Sequence, residues 1–298
     1  MNPVGELGPH DLIAGYYTVA GSRAGAGEGE AARAPFEDRV AAASAAGYRG
    51  LGMLVDDYLA LRASGLKDAD LRAICGDHGV GVPEIEFLYH WTCTDERAAF
   101  ARGLEERLYR VADAFGARHL NMGDVNPPGE TPLLEFATER FAAICDRAAE
   151  HGLLVALEFL PWSGIPDAAT AWRIVRAAGR PNGGVNLDVW HHYRGAADDG
   201  MIRAIPPEAI VCVAISDADA HVVGDLIEDT TRRRRLPGEG SFDLERFLRL
   251  LDAHGVTAPV TVEILSDEQN TRPTAEAARA SIEATRAVMD RVGFRGRA

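Results

Sequence analysis

The sequence predicts a single (β/α)8 TIM barrel of the α/β class. Three observations carry that expectation: a recurring Gly-terminated helix, the apolar run that follows each one, and the chain length. The junction recurs as AAASAAGYRGLGML, AICGDHGVGVPEIEFL, VADAFGARHLNMG, DRAAEHGLLVALEFL and LLDAHGVTAPVTVEIL. Gly47, Gly79, Gly116 and Gly152 are separated by 32, 37 and 36 residues. That spacing is one strand–helix unit and lies within the roughly 20–50-residue range that marks a repeat architecture. Gly past the last helical turn supplies a left-handed backbone. His78, His151 and His254 each precede such a Gly and are expected to meet the last carbonyls of their helices. Apolar runs of four to seven residues are how strands read when both faces are covered, as in a parallel sheet. At 298 residues one large domain or two small ones are open, since single barrels commonly run to about 250 residues. The repeat favours one domain over 1–298, with the barrel at about 11–292.

Strands are expected, in order, at Leu12–Tyr17, Gly50–Leu54, Val82–Leu88, His119–Met122, Leu153–Phe159, Gly184–Asp188, Val211–Ile215 and Val260–Ile264. Helical segments include Pro35–Ala46, Asp95–Phe115, Leu133–His151, Ala168–Ala178, Leu244–His254 and Pro273–Val292. Strand and helix alternate with no long linker, which favours a barrel. A doubly wound sheet is the rival, but no GxGxxG follows the first strand. The stretch GSRAGAGEGEAAR at 21–33 reads as a loop after strand one. No Lys-Ser/Thr follows it, so a phosphate cradle has little support.

Composition bounds the function. The 47% hydrophobic and 26% charged content is that of an ordinary globular protein and excludes a disordered chain. A net charge of −14 argues against a nucleic-acid groove, which needs clustered Lys and Arg. Cys75, Cys93, Cys145 and Cys212 form no CxxC pair, so zinc ribbons and thioredoxin-like chemistry are unsupported. Cys75 and Cys145 sit in apolar helical patterns and read as core filler. MNPVGELGPHDLIAG lacks a basic segment and a long apolar stretch, so no signal peptide is expected. No window is long and apolar enough to span a membrane. A cytoplasmic protein with reduced thiols is the expectation.

In this fold the active site lies at the C-terminal ends of the strands, and three acids stand there. Strand five ends LLVALEFLPW with Glu158, strand six ends GVNLDVWHHYRG with Asp188 and His191, and strand eight reads PVTVEILSDE with Glu263. A buried, unpaired carboxylate costs several kcal/mol in practice. Three that converge repel one another unless something positive lies between them. A divalent cation answers this, and oxygen donors suit Mg²⁺ or Mn²⁺. A buried Arg or Lys is the alternative. Around them, His90 and Trp91 end strand three, Asn121 and Asp124 follow strand four, and Trp162 and Ile165 wall the pocket. Tyr16 and Tyr17 end strand one, as suited to packing as to binding. In the run Arg232–Arg235, Arg235 is the candidate for gripping an anionic substrate group.

LEFLPWSGIPD, LDVWHHYRG, RRLPGEGSFD and VTVEIL, in that order and on successive strands, resemble the sugar isomerase/epimerase-like barrels of the xylose isomerase-like superfamily. The resemblance spans about Gly15 to Glu268. Ketose 3-epimerases, inosose isomerases and dehydratases, and 3-dehydroshikimate dehydratases belong to that group. The resemblance implies metal ligands at Glu158, Asp188 and Glu263, with Co²⁺ also able to serve. It implies substrate contacts from His191, in the D-x-x-H step, and from Arg235. Strand seven departs from the pattern: VCVAISDADA puts Ala214 at the usual ligand position. Either three carboxylates and water hold the ion, or Asp217 or a nearby group substitutes, or the metal has been lost.

The constellation suits proton abstraction beside a carbonyl, with Glu158 and Glu263 as the catalytic pair implied by the resemblance and His191 on the substrate oxygen. An isomerase or epimerase of a ketose or cyclitol-like polyol is the first reading. A lyase or dehydratase of a hydroxy-carbonyl compound follows if a β-hydroxyl leaves. A metal-free binding barrel is kept because of Ala214. A DNA-repair endonuclease would need a His-rich site and a basic groove, and has neither. The expected partner is a small polar molecule, with no nucleic acid and no membrane. Homodimer and homotetramer are both open.

Overall fold

The computed structural model describes residues 7–8, 11–25, 32–126, 130 and 133–294. Eight strands close into a barrel in sequence order, each parallel to its neighbours. The chain runs β1 (Leu12–Ala14), α1 (Tyr16–Ala20), α2 (Phe36–Ala46), β2 (Gly50–Leu54), α3 (Val55–Ala63), α4 (Asp68–His78), β3 (Gly81–Leu88) and α5 (Glu96–Phe115). It continues through β4 (His119–Gly123), α6 (Leu134–Glu150), β5 (Leu154–Glu158), α7 (Ala168–Ala178), β6 (Gly183–Asp188), α8 (Val189–Arg194) and α9 (Asp199–Arg203). The last elements are β7 (Ile210–Ile215), α10 (Leu226–Arg232), α11 (Leu244–His254), β8 (Val260–Val262) and α12 (Thr274–Val292).

The repeated glycines do what the junctions require. Gly47, Gly79, Gly116 and Gly152 have φ of 97°, 64°, 67° and 68°, the left-handed region where a Cβ is disfavoured. Two of the neighbouring histidine side chains pair away from their own helices. His254 Nε2 donates to the Ile205 carbonyl at 2.6 Å. His151 Nδ1 lies 2.9 Å from Asp113 and its ring stacks on Tyr109. The glycine N–H groups already satisfy carbonyls of the last turn, as Gly116 does for Ala112, so the imidazoles are free to pair elsewhere. At the other helix ends, Asp95, Asp167 and Asp243 accept from backbone N–H groups of α5, α7 and α11, each worth about 1 kcal/mol.

The strands are buried along nearly their whole length and the helices bury one face each. Phe141, Ile144 and Cys145 of α6, Leu248 and Leu251 of α11, and Ile282 of α12 join the strand side chains in one core. Cys75 and Cys145 are buried and free, as expected of filler, and burial pushes both thiols up to about 12.

Three strands are shorter than expected; β5 loses one residue at each end. β1 stops at Ala14, because Tyr16 and Tyr17 turn into α1 instead of extending the ladder. The Thr18 hydroxyl donates to the Val262 carbonyl at 2.8 Å and accepts from Ile264 N at 2.9 Å, fastening α1 to β8. β8 stops at Val262, so Glu263 stands just past its end. Short helices α1, α3, α8 and α10, unforeseen, crown the C-terminal mouth. The loop at 21–33 falls partly, at 26–31, and the N-terminal segment at 1–6 wholly outside the described residues. Among the described residues no helix is long and apolar enough to cross a membrane.

Candidate active site

Parallel register brings the acids together. Glu158 and Asp188 are the last residues of β5 and β6, and Glu158 pairs with Asn186 across the ladder. Asp188 pairs with Ala214, which pairs with Thr261, two residues before Glu263. All three carboxylates sit at the barrel's C-terminal mouth. Glu158 and Glu263 form the floor of a cavity of about 430 Å³ together with Glu86, His191 and Arg234, and Asp188 lies fully buried behind them. Its walls are largely apolar: Leu54, Phe87, Leu104, Leu160, Trp162 and Leu265.

The cation among the acids is Arg234. Its Nη1 donates to Asp188 Oδ2 at 2.8 Å and to Glu263 Oε2 at 2.9 Å. Its other nitrogens donate to the Thr230 hydroxyl, and its guanidinium lies 5.5 Å from the Trp190 ring. Asp188 also accepts from the Trp190 N–H at 2.6 Å. His191 Nε2 lies 3.5 Å from Asp188 and 3.6 Å from Glu158. Trp162, Trp190 and Phe159 pack edgewise around its ring. Asn186 donates to Glu158 at 3.3 Å.

This geometry divides the acids. Burial pushes Glu158 well above the ordinary carboxylate range, with Glu263 and Asp188 adding repulsion. Burial also lifts Glu263, to about 7, against the pull of Arg234. Burial opposes ionisation at Asp188 too, but Arg234, His191 and the Trp190 amide together hold it below its usual value. Desolvation lowers His191 to about 4, so its imidazole is neutral at pH 7. Neighbouring carboxyls with separated proton affinities are what acid–base chemistry at neutral pH needs.

Glu158, Asp188, His191, Glu263 and Trp162 are thus brought together as the sequence suggested. Four other residues are not, and here the expectations are corrected. Arg235 points away from the cavity and pairs with exposed Asp219 at 2.6 Å. Asp217 is no stand-in ligand: its carboxylate accepts from the N–H groups of Ala218, Gly238 and Phe242, shaping the loop. Asn121 lies on β4 two residues below Gly123, the partner of Glu158, and its oxygen faces the Cys212 thiol at 3.5 Å. His90, with φ 59°, sits in a shallow outer pocket with Tyr89 and Phe100, its Nδ1 3.1 Å from Asn126.

Two residues at the site were missed. Arg234 was hidden among four consecutive arginines. Bridges at Asp217↔Arg235 and Arg233↔Ser266 turn its neighbours one way and, by two-residue alternation, turn Arg234 inward. Glu86 was legible as the second acid of the alternation in VPEIEFL on β3, where both Glu84 and Glu86 face the interior.

A divalent ion can be tested against these donors. Atoms of Glu158, Asp188 and His191 lie within 4.8 Å of one another, so one ion can reach all three. The carboxylates outnumber the single guanidinium, which also favours a further cation. Ala214 presents only a methyl from β7, and Arg234 already engages Asp188 and Glu263. The donors fit an ion held by Glu158, Asp188 and His191 beside Arg234, with no ligand from β7. A second group in ligand range, Glu84, His119 and Cys212, lies deeper and is hydrogen-bonded within itself: His119 Nε2 reaches Glu84 at 3.1 Å, and Arg118 donates to its Nδ1.

A closed eight-stranded barrel with opposed carboxylates at its C-terminal mouth defines the class, a TIM barrel with an enzyme-like acidic site. The chain belongs to the xylose isomerase-like TIM barrel family, whose profile matches residues 40–288. It is similar to a 3-dehydroshikimate dehydratase of Pseudomonas aeruginosa, 29% identical over 244 residues, covering 80% of this chain and 37% of that protein. An inosose isomerase of Bacillus subtilis is 28% identical over 127 residues, covering 42% of this chain and 45% of that one. Among solved structures, the IolI protein with a bound zinc atom aligns with a TM-score of 0.82 at 19% identity, over 95% of this chain and 99% of that one. D-psicose 3-epimerase aligns at 0.69 and 16% identity, over 95% and 99%. These two bear on the fold alone. The chain spans little more than a third of the dehydratase's length. The relatives are enzymes, dehydratases and isomerases.

Proposed function

We propose that this protein abstracts a proton beside the carbonyl of a small, uncharged, cyclic hydroxy-ketone, as an isomerase or a dehydratase. The observation that carries the reading is the divided set of carboxyls on the cavity floor. Glu263, lifted to about 7, is near neutral pH both basic enough to take a carbon-bound proton and ionised enough to do so. Glu158, three strands away around the barrel and pushed well above the carboxylate range by burial, holds a proton on the opposite side. His191, neutral, orients a substrate oxygen. Arg234 keeps Asp188 ionised and offers positive charge to the oxygen on which negative charge develops.

The substrate class follows from the walls. Arg234 is the only cationic side chain among the described residues that line the cavity, and two carboxylates already share it. A phosphate group finds no free partner there. Phe87, Trp162 and Leu160 suit the faces of a carbon ring, and an inosose is a fitting probe. Were Mn²⁺ or Mg²⁺, or Co²⁺, held by Glu158, Asp188 and His191, the ion would take over from His191 the charge stabilisation of the same oxygen, and Glu158 would be ionised. A second reading, in which Arg234 alone is the cation, is favoured by Ala214 and the double ion pair.

The test is solvent deuterium incorporation, screened across ketoses, inososes and hydroxy-acids with and without added Mn²⁺. Exchange at the carbon beside the carbonyl of an inosose supports the reading. Exchange confined to open-chain phosphorylated ketoses would overturn the substrate class. Exchange of equal rate after exhaustive chelation, on protein free of stoichiometric metal, selects the metal-free reading.

A further inference from the structure

Glu86 has no part in the chemistry above, yet it lines the same cavity. Glu84 and Glu86 are two residues apart on β3, so both point into the barrel, and both are buried. Glu84 Oε2 is taken: His119 Nε2 lies 3.1 Å away and the Thr261 hydroxyl donates at 2.7 Å. Of the other three oxygens, Glu84 Oε1 and Glu86 Oε1 are both buried and have no N–H or O–H partner. They converge on one spot. A Cβ placed on Gly52 of β2 would stand 2.6 Å from Glu86 Oε1 and 3.1 Å from Glu84 Oε1. Glycine at position 52 is what leaves room for the two carboxyls to meet.

Two buried carboxylate oxygens that converge without a donor between them cannot both be charged. One shared proton satisfies both orphaned atoms at once. Glu84 is the partner held as anion, by His119 and Thr261, and it does not line the cavity. The proton therefore belongs on Glu86. The same preference appears in the energetics: burial and the Glu84 charge push Glu86 well above the carboxylate range, while His119 and Thr261 hold Glu84 below it.

We propose that Glu86, carrying the proton it shares with Glu84, is the acid that protonates a departing hydroxyl, so that the site eliminates water from a β-hydroxy ketone. This rests on the reading of Glu263 as the base. The step balances. Glu263 takes the α-proton, the C–H electron pair becomes the new C=C bond, and the β C–O bond breaks. Glu86 gives its proton to the leaving oxygen, releasing water. Solvent later returns a proton to Glu86 and removes one from Glu263. The product is a conjugated enone, and a site that only epimerises has no need of this acid.

The experiment follows an inosose in D₂O with wild type, Glu86→Gln and Glu84→Gln, reading exchange by NMR and elimination by enone absorbance. Gln at 86 keeps a hydrogen bond to Glu84 but has no proton to give. Elimination is expected to fall about 100-fold or more in E86Q, by at least about tenfold more than α-exchange falls. In E84Q, the new amide donates to Glu86 and removes the reason for the shared proton, so elimination falls there too. Equal loss of exchange and elimination in E86Q would overturn the acid role while leaving the base intact. Absent exchange in wild type overturns the parent reading and this one with it. Infrared difference spectra give a readout independent of turnover: the protonated-carboxyl C=O absorbance at neutral pH is expected to lose one component in E86Q, while those of Glu158 and Glu263 remain. A wild-type-minus-E86Q difference spectrum with no such component overturns the shared proton whatever the activity.

Discussion

Replacing Arg234 with methionine is the perturbation that most exposes how the floor is held. The guanidinium is 2% exposed and makes two charge-assisted bonds, at 2.8 and 2.9 Å, to Asp188 and Glu263. Each such bond contributes about 1.5–3 kcal/mol, and breaking a buried pair from one side costs about 3–5 kcal/mol because the remaining charge is left uncompensated. Methionine fills much of the same volume against Trp190, so the loss reads charge, not cavity. A destabilisation of about 4 kcal/mol at pH 8 is expected, a large share of the 5–15 kcal/mol typical of a domain. The sign of its pH dependence is fixed. Without Arg234, Asp188 and Glu263 both bind protons more tightly in the folded state than in the unfolded chain. Stability of the variant therefore falls as pH rises, and the gap to wild type widens from pH 5 to pH 8. Urea unfolding in EDTA at those two pH values, on wild type, R234M and the charge-keeping R234K, measures it. A midpoint for R234M equal to wild type at pH 8, or a gap that narrows with rising pH, would refute the argument.

Other outcomes follow from the same geometry. Glu263 is lifted from an ordinary 4.5 to about 7, so its protonation stabilises the fold fully at low pH and that stabilisation is lost as pH climbs through about 7. The shift amounts to about 3 kcal/mol, and E263Q is expected to flatten the stability–pH curve between pH 5 and 8; an unchanged slope counts against it. Arg235→Ala removes an ion pair with exposed Asp219 and should cost at most about 1 kcal/mol, with α-exchange within a factor of two; a hundredfold loss would put Arg235 back in the site. Gly52→Ala drives a methyl to 2.6 Å from Glu86 Oε1 and 2.9 Å from the Tyr16 amide nitrogen, which should destabilise by about 1–3 kcal/mol; a melting temperature equal to wild type would show that β2 gives way freely.

What could be read in the sequence divides along physical lines. The barrel was legible because each unit repeats the same two requirements, a left-handed glycine to end the helix and an apolar run buried on both faces. Gly47, Gly79, Gly116 and Gly152 needed no tertiary information. Glu158, Asp188 and Glu263 were legible for the opposite reason, being charges in runs that otherwise exclude them. Arg234 was not, since four consecutive arginines are chemically alike and only the bridges of Asp217 with Arg235 and Arg233 with Ser266 decide which turns inward. Asn121 misled because depth along a strand is invisible without register; it lies a full layer below the floor. His254 and His151 misled because their partners, Ile205 and Asp113, are distant in sequence. Glu84 and Glu86 lay in plain alternation on β3, and only their convergence on Gly52 gives the pair a meaning.

The proposed chemistry turns on Glu263 as the group that removes a carbon-bound proton. Its most direct test is the rate of solvent deuterium incorporation beside the carbonyl of an inosose, in wild type and Glu263→Gln, with folding verified by circular dichroism. Exchange in wild type is expected to fall by about 100-fold or more in E263Q. Exchange that continues at the wild-type rate in a folded E263Q would contradict it.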